Sequence, residues 1–151
     1  MKKNLLRTAA VMALSAALLG LAGCETAAKN ATHELDAQDA VTIQLVCQSE
    51  DIYQIFYSTY LEGRAYGQGG WADLDGKALT PETDLTASFD KDYFEGQDIS
   101  TLSMDFSPYG EGDTAEIATT PQVSIPAKYG EHYIIVFSGD EETGFTAQLQ
   151  P

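Results

Sequence analysis

Cysteine, histidine and tryptophan are scarce in this chain of 151 residues, which contains two Cys, two His and one Trp. A metal site built from several His or Cys side chains would therefore have too few ligands to draw on. His33 lies in a polar stretch and His132 at the start of an apolar run, and neither accompanies a recognisable nucleophile motif. We expect a protein without catalytic activity.

Basic residues are also few. Eight Lys and Arg stand against 23 Asp and Glu, which gives a formal net charge of −15 at pH 7. A surface of this charge repels nucleic acid and anionic lipid headgroups. The composition therefore excludes a nucleic-acid partner.

Long uncharged apolar runs are absent except at the beginning of the chain. The run from Thr8 to Gly23 has 16 residues and follows the basic residues Lys2, Lys3 and Arg7. A membrane-spanning helix needs about 20 apolar residues. The run is instead typical of the apolar core of a secretory signal peptide, with small residues before the cleavage site.

The sequence LAGC, residues 21–24, closes this run. Together with the basic head, it resembles the lipobox of bacterial lipoproteins. The resemblance implies that the chain is cut before Cys24 and that a diacylglyceryl group alkylates the Cys24 thiol. The two acyl chains would hold the protein stably on a membrane. The alternative is an ordinary signal peptide followed by a coincidental cysteine.

The expected organisation has three parts. Residues 1–23 form the signal peptide, residues 24–39 the lipidated cysteine and a flexible polar tether, and residues 40–151 one folded domain. Removing residues 1–23 takes away three basic residues and no acidic one, leaving five Lys and Arg against 23 Asp and Glu and a charge of −18. Only Cys47 then keeps a thiol, so no disulfide within the chain is available to stabilise the fold.

The domain shows an apolar period of two and no convincing helical period. In residues 40–48, Val41, Ile43, Leu45 and Cys47 alternate with polar residues, which is typical of a half-buried strand. Further strand-like runs lie at 52–61, 84–89, 100–107, 115–119, 122–125, 132–138 and 144–150. We predict an all-β antiparallel β-sandwich of about seven to nine strands, of the jelly-roll or immunoglobulin-like type.

The order of several segments between residues 41 and 126 supports this fold. FYST, a Gly-rich turn, DYFEGQDISTLSMDF and AEIATTPQVSI follow one another. This order resembles jelly-roll modules of the carbohydrate-binding, galactose-binding-like type. The resemblance implies a sandwich and assigns no ligand.

The segment YGQGGW, residues 66–71, is the strongest candidate for a binding site. Its glycines do not form a phosphate loop, because no Lys-Ser or Lys-Thr pair and no helix follow them. We interpret residues 66–77 as a mobile loop, and residues 64–71 as the aromatic loop that would bind a ligand. Trp71 and Tyr66 could stack on sugar rings while Arg64 and Gln68 supply hydrogen bonds, or Trp71 could instead cap the sandwich core.

The next residues suggest either a turn or a metal site. Asp73, Asp75, Gly76 and Glu82 fall at the third, fifth, sixth and twelfth places of a calcium loop, but Trp71 occupies the first place. The Asp75-Gly76 pair is also typical of a hairpin turn. The turn is the favoured interpretation, and a calcium site using Asp73 and Asp75 is the alternative.

These observations favour a lipid-anchored binding protein that faces outside the cytoplasm, on either the cell membrane or the outer membrane. The leading hypothesis is a protein-interaction or scaffold domain in the cell envelope. The second is a glycan-binding domain that uses residues 64–71, and an enzyme is the third.

Overall fold

The computed structural model describes residues 38–151. The predicted signal peptide, Cys24 and residues 24–37 of the predicted tether lie outside the described residues. The described chain forms eight β-strands: β1 (Ala40–Cys47), β2 (Gln54–Leu61), β3 (Arg64–Ala72), β4 (Leu85–Asp90), β5 (Ser103–Tyr109), β6 (Val123–Ser124), β7 (His132–Asp140) and β8 (Gly144–Leu149). Residues 38–151 contain no helix with the length and apolar character needed to cross a membrane.

The strands form a β-sandwich of two four-stranded sheets. The first sheet has the order β4-β1-β7-β8, and the second sheet has the order β3-β2-β5-β6. All neighbouring strands are antiparallel except β1 and β7, which run parallel from Thr42 beside His132 to Cys47 beside Phe137. The prediction of an all-β sandwich with seven to nine strands is confirmed, although one parallel pair interrupts the antiparallel pattern.

Alternation along the strands explains the core. In β1, Val41, Ile43, Leu45 and Cys47 are buried between the sheets, while Thr42 and the other polar residues face outward. Burying one such aliphatic side chain stabilises the fold by about 1.5–3 kcal/mol. The largest fully buried side chains are Phe94, Phe106, Phe137, Ile43, Leu45, Ile52, Ile55, Leu79, Leu85, Leu102, Met104 and Ile125.

Seven of the eight strands coincide with predicted runs, and two predictions were wrong. Residues 64–71 are not a loop, because Arg64–Ala72 is the outermost strand of the second sheet. Residues 115–119 are not a strand. The N–H groups of Ile117 and Thr120 bond to the carbonyls of Pro108 and Phe106. Ile117 and Thr120 are three residues apart, whereas Pro108 and Phe106 are two residues apart. Residues 117–120 therefore contain one residue too many for a regular ladder of hydrogen bonds with β5.

The turn predictions have a similar outcome. Strands β7 and β8, both predicted as strand runs, pair as a hairpin in which Asp140 lies opposite Gly144. The Asp75-Gly76 turn is confirmed, since the Gly76 N–H bonds to the carbonyl of Asp73 and Gly76 has a φ of 69°. It is not a hairpin turn, because it connects β3 in the second sheet to β4 in the first.

Candidate functional site

The glycines of β3 are required by aromatic rings that lie on them. A Cβ atom on Gly67 would overlap with the Tyr93 hydroxyl, and one on Gly69 would overlap with the Tyr57 ring and hydroxyl. On the opposite face of the strand, a Cβ on Gly70 would lie 3.0 Å from Cδ1 of Phe56. The Gly-rich sequence therefore reflects close packing in an edge strand and not a mobile loop.

Trp71 belongs to the edge of the core. Its ring lies 4.6 Å from the Tyr57 ring and is stacked 6.5 Å from the Phe106 ring. Its Nε1–H donates a 3.2 Å hydrogen bond to the carbonyl of Thr86 in β4. Trp71 is half-buried and links the edges of the two sheets, as in the capping interpretation.

The other three predicted ligand-binding residues line a pair of adjoining clefts beside β3, which we call the β3 cleft. One part, of about 450 Å³, is lined by residues that include Arg64, Tyr66, Gln97 and Asp98. The other part, of about 560 Å³, is lined by Ala65, Tyr66, Gly67, Gln68, Tyr93 and Glu95. The structure thus brings Arg64, Tyr66 and Gln68 together and leaves Trp71 outside.

Residues of the segment that follows β4 also line the cleft, namely Tyr93, Glu95, Gln97 and Asp98. Tyr93 lies with its ring 6.0 Å from that of Tyr66, while Phe94 is buried behind it. Partial burial raises the pKa of Tyr66, and the nearby Glu95 carboxylate raises it further. Tyr66 therefore stays a neutral phenol that can donate and accept hydrogen bonds.

Arg64 is the only arginine in residues 38–151, and it forms no ion pair with another described residue. Lys77 pairs with Asp75 at 2.9 Å, and Lys91 pairs with Asp39. The exposed guanidinium of Arg64 can therefore offer its planar set of donors to a ligand in the cleft.

The two predicted calcium ligands have local roles in the turn. Asp73 Oδ1 accepts backbone N–H bonds from Asp75 at 2.8 Å and from Lys77 at 3.2 Å. Asp75 Oδ2 accepts a 2.9 Å bond from Lys77 Nζ. Within residues 38–151, no group of three or more His, Cys, Asp or Glu side chains is arranged to hold a metal ion. The calcium site stays a prediction, and the turn accounts for both aspartates without it.

A second candidate surface is the outer face of the second sheet, which the sequence did not indicate. We call Phe56, Tyr60 and Tyr109, with the polar side chains between them, the aromatic face. Phe56 is 46% exposed, and its ring meets that of Tyr109 edge to face at 5.2 Å. Tyr60 donates a 2.7 Å hydrogen bond to Asp105 Oδ2, and this bond raises the pKa of the Tyr60 phenol.

The rest of the aromatic face is polar, and Asp105 is its one acidic residue within the strands. Register places Ser58 beside Gln68 and Asp105, and Ser107 lies beside Phe56. Ser107 and Thr119 share a hydrogen bond of 2.9 Å between their hydroxyls. Within the strands of this sheet, Asp105 is the only acidic residue. The face therefore combines exposed rings with few charges in a strongly acidic domain.

Cys47 is fully buried on the inner face of β1, as its place in the alternation predicts. Burial raises the pKa of the thiol, although a weak hydrogen bond from Sγ to the Ser49 carbonyl opposes this. A buried protonated thiol is a poor nucleophile, so the site has the properties of a small core residue.

No known protein family matches this chain, and no curated protein matches it. The candidate surfaces therefore rest on the sequence and the geometry: the β3 cleft, with three of the four predicted residues, and the aromatic face.

Proposed function

We propose that this protein is a lipid-anchored, non-catalytic binding protein of the cell envelope whose β-sandwich binds another protein through the aromatic face. The anchor is the diacylglyceryl group on Cys24 that the lipobox resemblance implies. The sandwich would lie outside the cytoplasm. Its finer type, jelly-roll or immunoglobulin-like, remains a prediction.

The observation that carries the proposal is the exposed phenylalanine in the middle of a sheet face. Phe56 lies on β2, between β3 and β5, and 46% of its surface meets solvent. The centres of protein interfaces are depleted in charge and enriched in aromatic residues, and a few buried aromatics supply most of the binding energy. The aromatic face has both properties, because the exposed ring of Phe56 and the half-buried ring of Tyr109 lie among side chains that carry few charges.

Site-specific photocrosslinking in intact cells tests the interaction. A benzophenone amino acid at Ser58 should give a discrete adduct with one partner protein, and Phe56→Ala should reduce its yield about tenfold or more. Ile134→Ala is the matched control, because Ile134 is also exposed, at 39%, but lies on the first sheet. No adduct at Ser58, or equal loss with both substitutions, contradicts the proposal.

The anchor has its own test. Cells grown with labelled palmitate should yield labelled protein, and Cys24→Ala should remove the label because it removes the attachment thiol. Cys47→Ala should keep it, since Cys47 is buried in the domain. A label that survives Cys24→Ala contradicts the lipoprotein assignment.

A glycan in the β3 cleft is the second candidate function. It is favoured by the convergence of the Tyr66 ring, the Arg64 guanidinium and the Gln68 amide on one cleft. A glycan array should then show a specific signal that Arg64→Ala and Gln68→Ala abolish. These variants suit the test better than Trp71→Ala, because Arg64 and Gln68 are exposed and Trp71 stabilises the core. An array without a specific signal favours the protein partner alone.

A further inference from the structure

Strand β3 has an unusually open edge. It is nine residues long and is the outermost strand of the second sheet, where it pairs with β2 alone among the described strands. From Ala65 to Ala72 it contains no charged residue and no proline. Natural sheets commonly protect such edges with charge, proline or short length. The opposite edge of the same sheet follows this rule, because β6 has two residues.

The edge of β3 opens onto the β3 cleft. Ala65, Gly67 and Gln68 line the cleft from β3, and Tyr93 and Glu95 line it from the segment that follows β4. Residues 67, 69 and 70 are glycines, so no side chain projects from these positions. Gly67, which has only main-chain atoms and lines the cleft, therefore exposes its backbone to a space of about 560 Å³.

The charge around the cleft indicates what would enter it. Glu62, Glu95 and Asp98 line its two parts, with Arg64 as the one cation. Residues 38–151 as a whole carry 20 Asp and Glu against four Lys and Arg. A second copy of this acidic chain would be repelled from the edge, whereas a segment rich in Lys or Arg would be attracted.

We infer that the edge of β3 binds an extended, basic segment of a partner protein, which adds to the second sheet as a further strand. Main-chain hydrogen bonds to β3 hold the segment, and its cationic side chains lie beside Glu95 and Asp98. This surface is independent of the aromatic face, which lies on the flat side of the sheet. Loss of one site therefore leaves the other to be tested.

The test uses the full chain in detergent and a fluorescent peptide, (Lys-Val)5. Fluorescence anisotropy measures binding, and amide hydrogen exchange locates it. We expect binding to slow the exchange of amides within residues 64–72, because their outward N–H groups become hydrogen-bonded. A (Glu-Val)5 peptide, and a (Lys-Val)5 peptide N-methylated at every residue so that neither edge can donate a hydrogen bond, should bind about tenfold more weakly or worse.

Charge reversal supplies a matched pair of variants. Glu95→Lys with Asp98→Lys should weaken binding of (Lys-Val)5 about tenfold or more. Glu141→Lys with Glu142→Lys makes the same change in net charge at the β7–β8 turn and should alter the affinity about twofold or less. Hydrogen exchange away from residues 64–72 should be similar in all forms, which verifies the fold.

The inference is overturned by the absence of binding at about 1 mM peptide or by slowed exchange confined to other strands. Equal loss with both double variants, or full binding by the N-methylated peptide, overturns it as well. Concentration-dependent self-association that slows exchange in β3 without peptide would also overturn it, because the edge would then receive a second copy of the chain. A specific glycan that occupies the cleft and leaves (Lys-Val)5 without effect would assign the cleft to sugar.

Discussion

At the edge of the second sheet, individual glycines of β3 allow tyrosine side chains to pack directly against the strand. Gly67 and Gly69 are not points of flexibility, since tyrosine groups occupy the space where their side chains would lie. Residue type alone does not reveal this, because a glycine that permits a turn and a glycine that permits close packing look the same in a sequence. The contact with Tyr93 crosses 26 positions of the chain and is invisible to local pattern.

The Gly67–Tyr93 contact predicts a rescue. Gly67→Ala should lower the free energy of unfolding by about 1–3 kcal/mol through overpacking against the Tyr93 hydroxyl. Tyr93→Phe in the same chain should recover most of the loss, because the next nearest atoms lie 3.0 Å and 3.3 Å from the new Cβ. Urea denaturation measures both. A stabilising effect of Gly67→Ala, as expected for an unhindered strand position, would contradict this packing.

The buried Cys47 thiol predicts a dependence on pH. Because burial raises its pKa above the ordinary 9.0, the folded thiol stays protonated where the unfolded thiol ionises. The stability it contributes is complete below the unfolded pKa and is lost as the pH rises toward the folded pKa. The free energy of unfolding should therefore fall above about pH 9.

Two measurements check this prediction in a chain carrying Cys24→Ala, where Cys47 is the only thiol. Iodoacetamide should alkylate the folded protein far more slowly than the urea-unfolded protein at the same pH. Cys47→Ala should flatten the alkaline fall in stability but not abolish it, because burial also raises the pKa of Tyr57. Equal alkylation rates in the two states would contradict the burial of this thiol.

At the level of elements, strands whose apolar residues alternate or run together were predictable, and the glycine-rich strand β3 was not. The runs that became β1, β5 and β8 alternate clearly, so a period of two located them. Strand β3 has glycine on both faces and shows no alternation, so its sequence indicated a loop. The parallel pairing of β1 with β7 joins residues 90 positions apart, which no local pattern encodes.

The link between the edges of the two sheets predicts the effect of removing Trp71. Trp71→Ala should cost about 3 kcal/mol in the free energy of unfolding, since it removes a half-buried ring and the Nε1–H bond to Thr86. Trp71→Phe should cost less, because it keeps much of the ring contact with Tyr57 and loses only the hydrogen bond and some area. Thermal denaturation distinguishes the two. Unchanged stability of the Trp71→Ala variant would contradict the packing role of Trp71 and would favour a role in ligand binding.

The β7–β8 hairpin depends on Asp140. Its Oδ1 accepts the N–H of Thr143 at 2.7 Å, the Thr143 hydroxyl at 2.8 Å and the N–H of Glu142 at 3.0 Å. These bonds, that of the Thr143 N–H first, lower the pKa of the carboxyl. Asp140→Ala should therefore speed hydrogen exchange in the hairpin, while Glu141→Ala should not.

The sign of the pH effect follows from the lowered pKa of Asp140. Its contribution is complete above the unfolded pKa and is lost as the pH falls through the folded pKa. The difference in exchange between the original chain and Asp140→Ala should therefore shrink in acid. A difference that stays constant to the lowest measurable pH would show that the carboxylate charge is not involved.

On the scale of the whole molecule, the excess of acidic residues sets how the protein responds to salt. Twenty Asp and Glu against four Lys and Arg in residues 38–151 repel one another in the compact state. Raising the NaCl concentration from about 0.01 M to about 0.1 M shortens the Debye length from about 30 Å to about 10 Å. The urea midpoint should therefore rise, and a fall would indicate that the few ion pairs outweigh the general repulsion.

In the whole molecule, local sequence pattern predicts only those site residues that lie close together on one strand. Arg64, Tyr66 and Gln68 were predicted to act together, and they share a cleft because they are close in sequence on one strand. The aromatic face depends on sheet order and register, and Tyr93 and Glu95 reach the cleft from the segment after β4, so local pattern shows neither arrangement. Composition, by contrast, was sufficient for the acidic surface.

The parallel pair of β1 and β7 has a mechanical consequence for the membrane anchor that we propose. The chain enters the sandwich at Ala40, and β1 lies between β4 and β7 in the first sheet. A pull on residue 39 runs along β1 and across hydrogen bonds that lie roughly sideways to it. Those bonds are loaded in shear and share the force, whereas a terminal hairpin would open one bond at a time. If Cys24 carries the lipid that we propose, β1 is the strand that receives the load, and its neighbours on both sides share it.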